Sequence, residues 1–268
     1  MRAEAVASVG PGGRARLHLG PLGIRVLSVL LGLGAWEAYG QVLRSPIFTY
    51  PSAIVRAGVL LVRTGELAYY LQASLVVLAG GLFLAILFGI PFGVVMARSS
   101  LVEYATEPYM NALYATPTVA LIPVIVLWLG FQTTAKVALV FLFCVFPILI
   151  NTYQGVRSVD RRLVEVARSF CSGEWALWRD VILPSATPFL LAGIRLAIGR
   201  GLVGMVVAEF YTSITGLGYM IVQYANTFKT DRLFVPIVVL MILGVGLTGL
   251  LKAVERRIAP WMHMPHEE

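Results

Sequence analysis

Charged residues, histidine and cysteine are all scarce in this 268-residue sequence. Charged residues make up 13% of the chain, about half of the roughly 25% that soluble domains carry. The three histidines lie near the termini. Cys144 and Cys171 form neither a C-x-x-C pair nor a Cys/His cluster with metal spacing. The sequence therefore predicts neither a disulfide framework nor a metal site, and we expect no cofactor.

The motifs of hydrolytic enzymes are also missing. No glycine is followed by a lysine, so the phosphate-binding motif GxxxxGK[ST] cannot occur. HExxH and GxSxG are absent, and no pair of carboxylates lies within an apolar segment as a general acid and base would. We therefore expect no catalytic residues and no enzymatic activity from this chain alone.

Apolar sequence is abundant. The chain is 58% hydrophobic, with a mean hydropathy of +0.82. Six segments approach the ~20 residues that a helix needs to cross a bilayer. They are residues 24–42, 71–97, 108–128, 135–153, 186–209 and 233–251. We therefore predict an all-α membrane protein with six transmembrane helices.

The predicted spans and their connections form one domain, residues 24–260. Residues 1–23 are rich in Gly, Arg and Pro without an apolar period, and we expect a flexible cytoplasmic tail there. Residues 261–268 form a C-terminal tail. After the first span, Arg56 and Arg63 share one helical face, which favours an amphipathic helix on the membrane surface.

Glycine and proline mark special places within the spans. Gly89 and Gly93 form a GxxxG motif, which permits close approach of a second helix. Pro117 and Pro123 interrupt the third span, which indicates either a helix that lines a pathway or a simple kink. Four polar residues are candidates for a substrate pathway, and each could instead be a helix-packing residue: Thr116, Thr118, Asn151 and Gln223.

Basic residues predict the orientation of the chain, and we assign the net charge of +7 to topology rather than to nucleic-acid binding. With the N-terminus inside, thirteen Lys and Arg lie in inner segments and six in outer ones. The inner set is Arg2, Arg14, Arg16, Arg25, Arg98, Arg157, Arg161, Arg162, Arg168, Arg179, Lys252, Arg256 and Arg257. The outer set is Arg44, Arg56, Arg63, Lys136, Lys229 and Arg232. Both termini are therefore expected in the cytoplasm.

Four ionisable residues lie in or near the spans: Glu37, Arg195, Arg200 and Glu209. Charges inside a membrane are costly and are functional candidates for that reason. Two interpretations stay open at this point. The side chains could anchor the helices at the interface, with the arginines extending towards the cytoplasm. They could instead serve in gating or in pairing between subunits.

Residues 157–195 form a charged segment between two spans. Leu163, Val166 and Phe170 lie on a single apolar face, which predicts a helix over residues 159–170. Gly173 breaks this helix, and a second is expected over residues 174–183, with Pro184 ending it. Such a helix-turn-helix could dock onto a soluble partner or rest on the membrane.

The same segment resembles a family signature. Glu165-Val-Ala167, then Cys171, then Val181-Ile-Leu183-Pro184, is similar to the EAA motif of the permeases of binding-protein-dependent ABC importers. Flanking stretches such as ATPTVALIPVIVLWLG and AEFYTSITGLGYMI are similar to the branch that imports nitrate, sulfonates and taurine. The resemblance covers about residues 51–261.

This resemblance implies a bacterial inner-membrane subunit that works with two ABC ATPase subunits, a substrate-binding protein and a second permease copy, as a homodimer. ATP would be bound by the ATPases. The segment 157–184 would be a cytoplasmic coupling helix seated on the ATPase. Its contact residues would be Glu165, Ala167, Cys171, Gly173, Val181, Leu183 and Pro184.

Two residues depart from the motif, since Val166 replaces its second alanine and Cys171 replaces its glycine. If that glycine supplies a left-handed turn, a cysteine there is strained by roughly 1–2 kcal/mol. Gly173 is the alternative residue for the turn.

These features together predict the membrane subunit of an importer for a small, anionic solute. The alternative from the residues alone is a self-sufficient channel or secondary carrier with a regulatory cytoplasmic loop.

Overall fold

A computed structural model describes residues 21–43, 45, 47–212 and 214–263, and in this portion of the chain all regular structure is helical. Residues 1–20 of the predicted tail, and residues 264–268, lie outside the described residues. Eleven α-helices occur in the order α1 Pro21–Leu43, α2 Pro51–Arg63, α3 Glu66–Arg98, α4 Ser100–Ala115, α5 Ile122–Leu129, α6 Thr133–Arg157, α7 Arg161–Ser169, α8 Glu174–Leu177, α9 Leu183–Thr212, α10 Leu217–Asn226 and α11 Thr230–Ile258.

Five helices are long and apolar enough to cross a membrane, and a sixth span arises if the bent pair α4 and α5 is counted as one. The all-α, six-span prediction is thereby confirmed. The third span departs from its predicted bounds, because α4 already begins at Ser100 and the chain turns by 90° before α5. Thr116 takes an extended conformation before Pro117, as residues preceding proline prefer, and a short 3₁₀ turn follows.

Helix α6 is the centre of the bundle, with α3 packed on one side and α9 on the other. Gly89 and Gly93 of α3 lie directly on α6, where added Cβ atoms would come within 3.1 Å of Ile148 and 2.8 Å of Thr152. Gly201 of α9 meets Cys144 of α6 in the same way. Since lipid provides little hydrophobic force between helices, such close contacts supply much of their association.

Helix α2 is amphipathic, with Arg56 and Arg63 exposed on its polar face. Its apolar residues Ile54, Ala57 and Leu61 are buried and pack with residues of α10 and α11. The carboxylate of Glu37 in α1 accepts hydrogen bonds from the backbone N–H and the hydroxyl of Ser52 at 2.9 and 2.7 Å. This carboxylate satisfies a free amide at the start of α2, where the helix dipole favours negative charge.

Candidate coupling site

Helix α7 begins and ends with capping interactions that its sequence supplies. The side chain of Asp160 accepts a hydrogen bond from the backbone N–H of Arg162 at 2.9 Å. At the other end, the N–H of Cys171 donates to the Arg168 carbonyl and the N–H of Ser172 donates to the Ala167 carbonyl. This pair of bonds is a Schellman motif.

The Schellman motif needs a left-handed residue just past the helix, and Cys171 holds that position with a φ of 56°. Gly173 does not take over the turn, because its φ of −66° is ordinary extended backbone at the start of α8. The conditional expectation of strain at Cys171 therefore applies. A β-carbon in the left-handed region costs roughly 1–2 kcal/mol.

Pro184 does not end the second helix, contrary to the prediction. The chain is helical without a break from Glu174 to Thr212, 39 residues in all. A π-turn at Trp178–Ile182 lies just before the proline, and the N–H of Leu183 bonds to the Trp178 carbonyl five residues earlier. A π-turn is a recognised way to insert a proline or an extra residue into a helix. The coupling segment is thus continuous with the span α9.

The predicted contact residues lie mainly on the surface of this segment. Glu165, Cys171, Gly173 and Leu183 are exposed, whereas Ala167, Val181 and Pro184 are half-buried. Helix α7 has no buried residue at all. Large apolar side chains here are open to the outside: Val166 of α7 is 54% exposed, Phe170 just past its end is 82% exposed, and Trp175 of α8 is 77% exposed.

Glu174 links the coupling segment to the spans. Its carboxylate lies 3.7 Å from Arg168 of α7 and 3.3 Å from Arg98 at the end of α3. The Arg98 guanidinium also lies over the Trp178 ring, 5.4 Å from the centroid. These groups are more than half exposed, so each ion pair adds little stability. They show that the ends of α3, α7 and α8 lie next to one another.

A second ion pair lies at the end of α6. Arg157 pairs with Glu103 of α4, and the Tyr153 hydroxyl donates to the same carboxylate. The first residue of the charged segment thereby joins α4, the first half of the bent span, to the central helix.

A buried polar cluster holds the far end of α9, and sequence reasoning missed it. Glu209 is fully buried, so the expectation of an interface anchor is wrong for this residue. Its carboxylate accepts from the Ser74 hydroxyl and from the Gly218 N–H, each at 2.7 Å. Lys136, expected in an outer loop, is 2% exposed and donates to Thr215 of the adjoining turn at 2.8 Å.

The glycines of AEFYTSITGLGYMI could have pointed to this cluster. A Cβ at Gly216 would lie 2.1 Å from the Glu209 carboxyl, and Gly216 has a φ of 112°. A Cβ at Gly218 would lie 2.8 Å from the Cβ atom of Glu209. Both positions need glycine because a buried carboxylate occupies the space beside them.

The two arginines of α9 have different surroundings. Arg195 pairs with Glu255 near the end of α11, so it stabilises the contact between these spans rather than only anchoring at the interface. Arg200 is exposed and donates a hydrogen bond to the Tyr114 hydroxyl of α4 at 3.0 Å.

The four candidate pathway residues are spread over the bundle. The Thr116 hydroxyl bonds to its own helix, and Thr118 begins the 3₁₀ turn after the break. Asn151 bonds to the Pro147 carbonyl and packs against Gly193. Gln223 lies on α10 with an unpaired, buried side-chain oxygen. No hydrogen bond among the described residues joins any two of the four.

No metal site is evident in the portion of the chain that the structure describes. There, no group of three or more His, Cys, Asp or Glu residues could hold a metal ion.

The bundle of long apolar helices defines the class of multi-pass helical membrane proteins. A family model described as "Binding-protein-dependent transport system inner membrane component" matches residues 89–260. The aliphatic sulfonate transport permease SsuC of Bacillus subtilis is 32% identical over 89% of this chain and 87% of its own. The taurine permease TauC of Escherichia coli is 33% identical over 90% and 89%.

Other similar proteins carry different names. The riboflavin permease RibX of Chloroflexus aurantiacus is 34% identical over 90% of both chains. Among solved structures, an inward-facing MetNI methionine ABC transporter matches with a TM-score of 0.54 and 17% identity, covering 74% of this chain and 96% of that one. This last likeness shows the fold alone.

The chain therefore belongs to the permeases of binding-protein-dependent ABC importers, and it is an inner-membrane, multi-pass subunit that is not itself an enzyme. The family implies an ATPase and a binding protein as partners. The alternative of a self-sufficient channel or carrier is not supported.

The left-handed cysteine gives a local prediction. Replacing Cys171 by Gly should stabilise the turn by about 0.5–1 kcal/mol, because relief of the left-handed strain exceeds the extra backbone entropy that glycine loses. Hydrogen exchange of the Ser172 amide, which bonds to Ala167, should slow by roughly twofold to fivefold.

Gly173→Ala is the matched control. Its backbone suits alanine and an added Cβ meets no atom within 4 Å, so the Ser172 amide should exchange as in the parent chain. Unchanged or faster exchange in Cys171→Gly would contradict the assignment of strain.

Proposed function

We propose that residues 157–184 are the ATPase-coupling segment of an importer for a small organic anion, such as an alkanesulfonate. The observation that carries the coupling role is the uncovered apolar face of α7, formed by Leu163, Val166 and Phe170. An apolar patch rimmed by charged side chains is typical of a contact with a protein or with the membrane surface. The match to the EAA signature supports an ATPase as that partner, with Glu165 and Ala167 as contact residues.

The link from this segment to the spans supports a mechanical role. A force on α7 is carried by the Schellman turn into α8, and from α8 through the π-turn directly into α9. Since a helix is stiff along its axis and α9 packs along α6, closure of the ATPases would tilt or shift these spans as a unit. ATP and substrate would then favour opposite states of one two-state element.

The proposed orientation places the coupling segment and both termini in the cytoplasm. Basic residues support it, since Lys252, Arg256 and Arg257 end α11 beside the Glu255 that pairs with Arg195. The coupling end of α9 and the basic end of α11 therefore lie on one side, as the positive-inside rule requires for a cytoplasmic face.

We also propose a homodimer, with the pathway between two copies. Helix α4 has no buried residue in the single chain and α11 has only 11% of its apolar window buried. These faces are available to lipid and to a second copy. The substrate class rests on the names of the sulfonate and taurine relatives.

The coupling role predicts a loss of assembly on charge reversal. Glu165→Lys should abolish association with the partner ATPase, because an exposed contact residue changes by two charges while the fold of α7 is left intact. Co-purification from detergent measures association. Asp231→Lys, the same type of change at the start of α11, is the control and should assemble normally. Normal assembly of Glu165→Lys would contradict the role of this residue.

The substrate class predicts selective uptake. Proteoliposomes that hold the permease and its ATPase, with the partner binding protein outside, should accumulate taurine or methanesulfonate when ATP is supplied. Riboflavin, the compound named for another relative, should not be accumulated. Uptake of riboflavin and of neither sulfonate compound would overturn the substrate class while leaving the ATPase-driven mechanism in place.

A further inference from the structure

Arg200 lies level with the middle of the central helix α6. Its neighbour Gly201 lies against Cys144, and Cys144 donates to the Ala197 carbonyl at 3.3 Å. Cys144 lies near the centre of α6, roughly 17 Å from Thr133 and 20 Å from Arg157 at 1.5 Å per residue. The backbone of Arg200 therefore lies at the central level of the bundle rather than near either end.

The guanidinium also stays at that depth. It lies 5.0 Å from the centroid of the Tyr114 ring and donates to the Tyr114 hydroxyl. Tyr114 in turn lies against Phe146, with 6.4 Å between the ring centroids, and Phe146 is again near the centre of α6. The guanidinium thus stays level with the middle of α6 and does not extend along α9 towards the charged segment.

No carboxylate among the described residues forms an ion pair with Arg200, unlike Arg195 and Arg157 in the same bundle. The exposed face of α9 beside it is apolar, with Leu196 56% and Val203 57% exposed. An unneutralised charge facing lipid at this depth is unfavourable, whereas one facing a water-filled path between subunits is tolerated.

The broken span formed by α4 and α5 supports a position of Arg200 on a water-filled path rather than in lipid. Tyr114 lies in the last turn of α4, two residues before the non-helical Thr116, where the chain turns by 90°. Non-helical backbone at membrane depth persists where it is covered by protein or lines a cavity that supplies water. The arginine, the tyrosine hydroxyl and the break of the helix therefore lie together on one face.

We propose that Arg200 and Tyr114 form an oxyanion-binding site partway along the translocation path, which takes the sulfonate or carboxylate group of the solute. A guanidinium offers several N–H donors in a planar fork that fits two oxygens of one anionic group. Tyr114 holds the fork by ring stacking and leaves donors free. The site deepens the proposed function, on which its biological use rests.

Anion binding by the assembled permease and ATPase in nanodiscs tests the site directly. The probe is methanesulfonate, and dimethyl sulfone is its neutral analogue of similar shape. At constant ionic strength, methanesulfonate should raise the thermal unfolding midpoint of the parent complex in a saturable way, and dimethyl sulfone should not. In Arg200→Gln the apparent affinity for methanesulfonate should fall by about tenfold or more, as for loss of a charged hydrogen bond.

Three further variants separate the role of Arg200 from effects of charge loss elsewhere and of misfolding. Arg256→Gln makes the same chemical change at an exposed arginine near the end of α11 and should bind like the parent. Tyr114→Phe keeps the ring and should lose less affinity than Arg200→Gln. Arg200→Lys keeps the charge without the planar fork and should be intermediate, which also guards against a variant that fails to fold.

Several results would overturn the site. The first is no stabilisation of the parent by methanesulfonate, and the second is equal stabilisation by dimethyl sulfone. The third is an unchanged affinity for methanesulfonate in Arg200→Gln, which is the result expected if Arg200 only anchors α9 in lipid. Uptake separates the two proposals. If Arg200→Gln imports methanesulfonate at the parent rate, the site is wrong and the substrate class stands. If the parent imports only riboflavin but Arg200 still governs anion binding, the substrate class is wrong and the site stands.

Discussion

The structure depends on one constraint, which is that backbone hydrogen bonds inside a membrane must be satisfied within the protein. Helix α9 also extends without a break beyond its apolar span into the charged segment, because the π-turn at Trp178–Ile182 keeps the chain helical up to Pro184 through the bond from the Leu183 N–H to the Trp178 carbonyl. One continuous helix therefore runs from the segment at the surface to Glu209 at the far side.

The two ends of that helix are fixed in different ways. At the coupling end, exposed pairs such as Glu174 with Arg98 set the geometry and contribute little energy. At the far end, Glu209 is fully buried and its two oxygens accept from Ser74 and Gly218. The Glu174 end of the helix is held weakly and the Glu209 end is held strongly. This difference would let the Glu174 end move with a bound partner while the Glu209 end stays in place.

Sequence reasoning found the spans because soluble folds rarely contain several apolar runs of this length. It found helix α7 because the 3–4 spacing of Leu163, Val166 and Phe170 is a local property of one helix. It failed at Pro184, where proline is usually a stop and only the register of the following span could reveal a π-turn. It failed at Lys136 and Glu209, because their burial depends on which helices meet, and that is a tertiary property. The strain at Cys171 was predicted only for the case that this position is left-handed, and the φ angle in the structure shows that it is.

Cys171 offers the most direct test of the central claim that this segment is a cytoplasmic surface covered by the ATPase. It is exposed, whereas Cys144, the other cysteine, is buried, so a membrane-impermeant maleimide has one target. In inside-out vesicles without the ATPase, the account predicts rapid labelling of Cys171, and the assembled complex should be protected. In right-side-out vesicles the cysteine should not react. Labelling from the outer side, or equal labelling with and without the ATPase, would contradict the account.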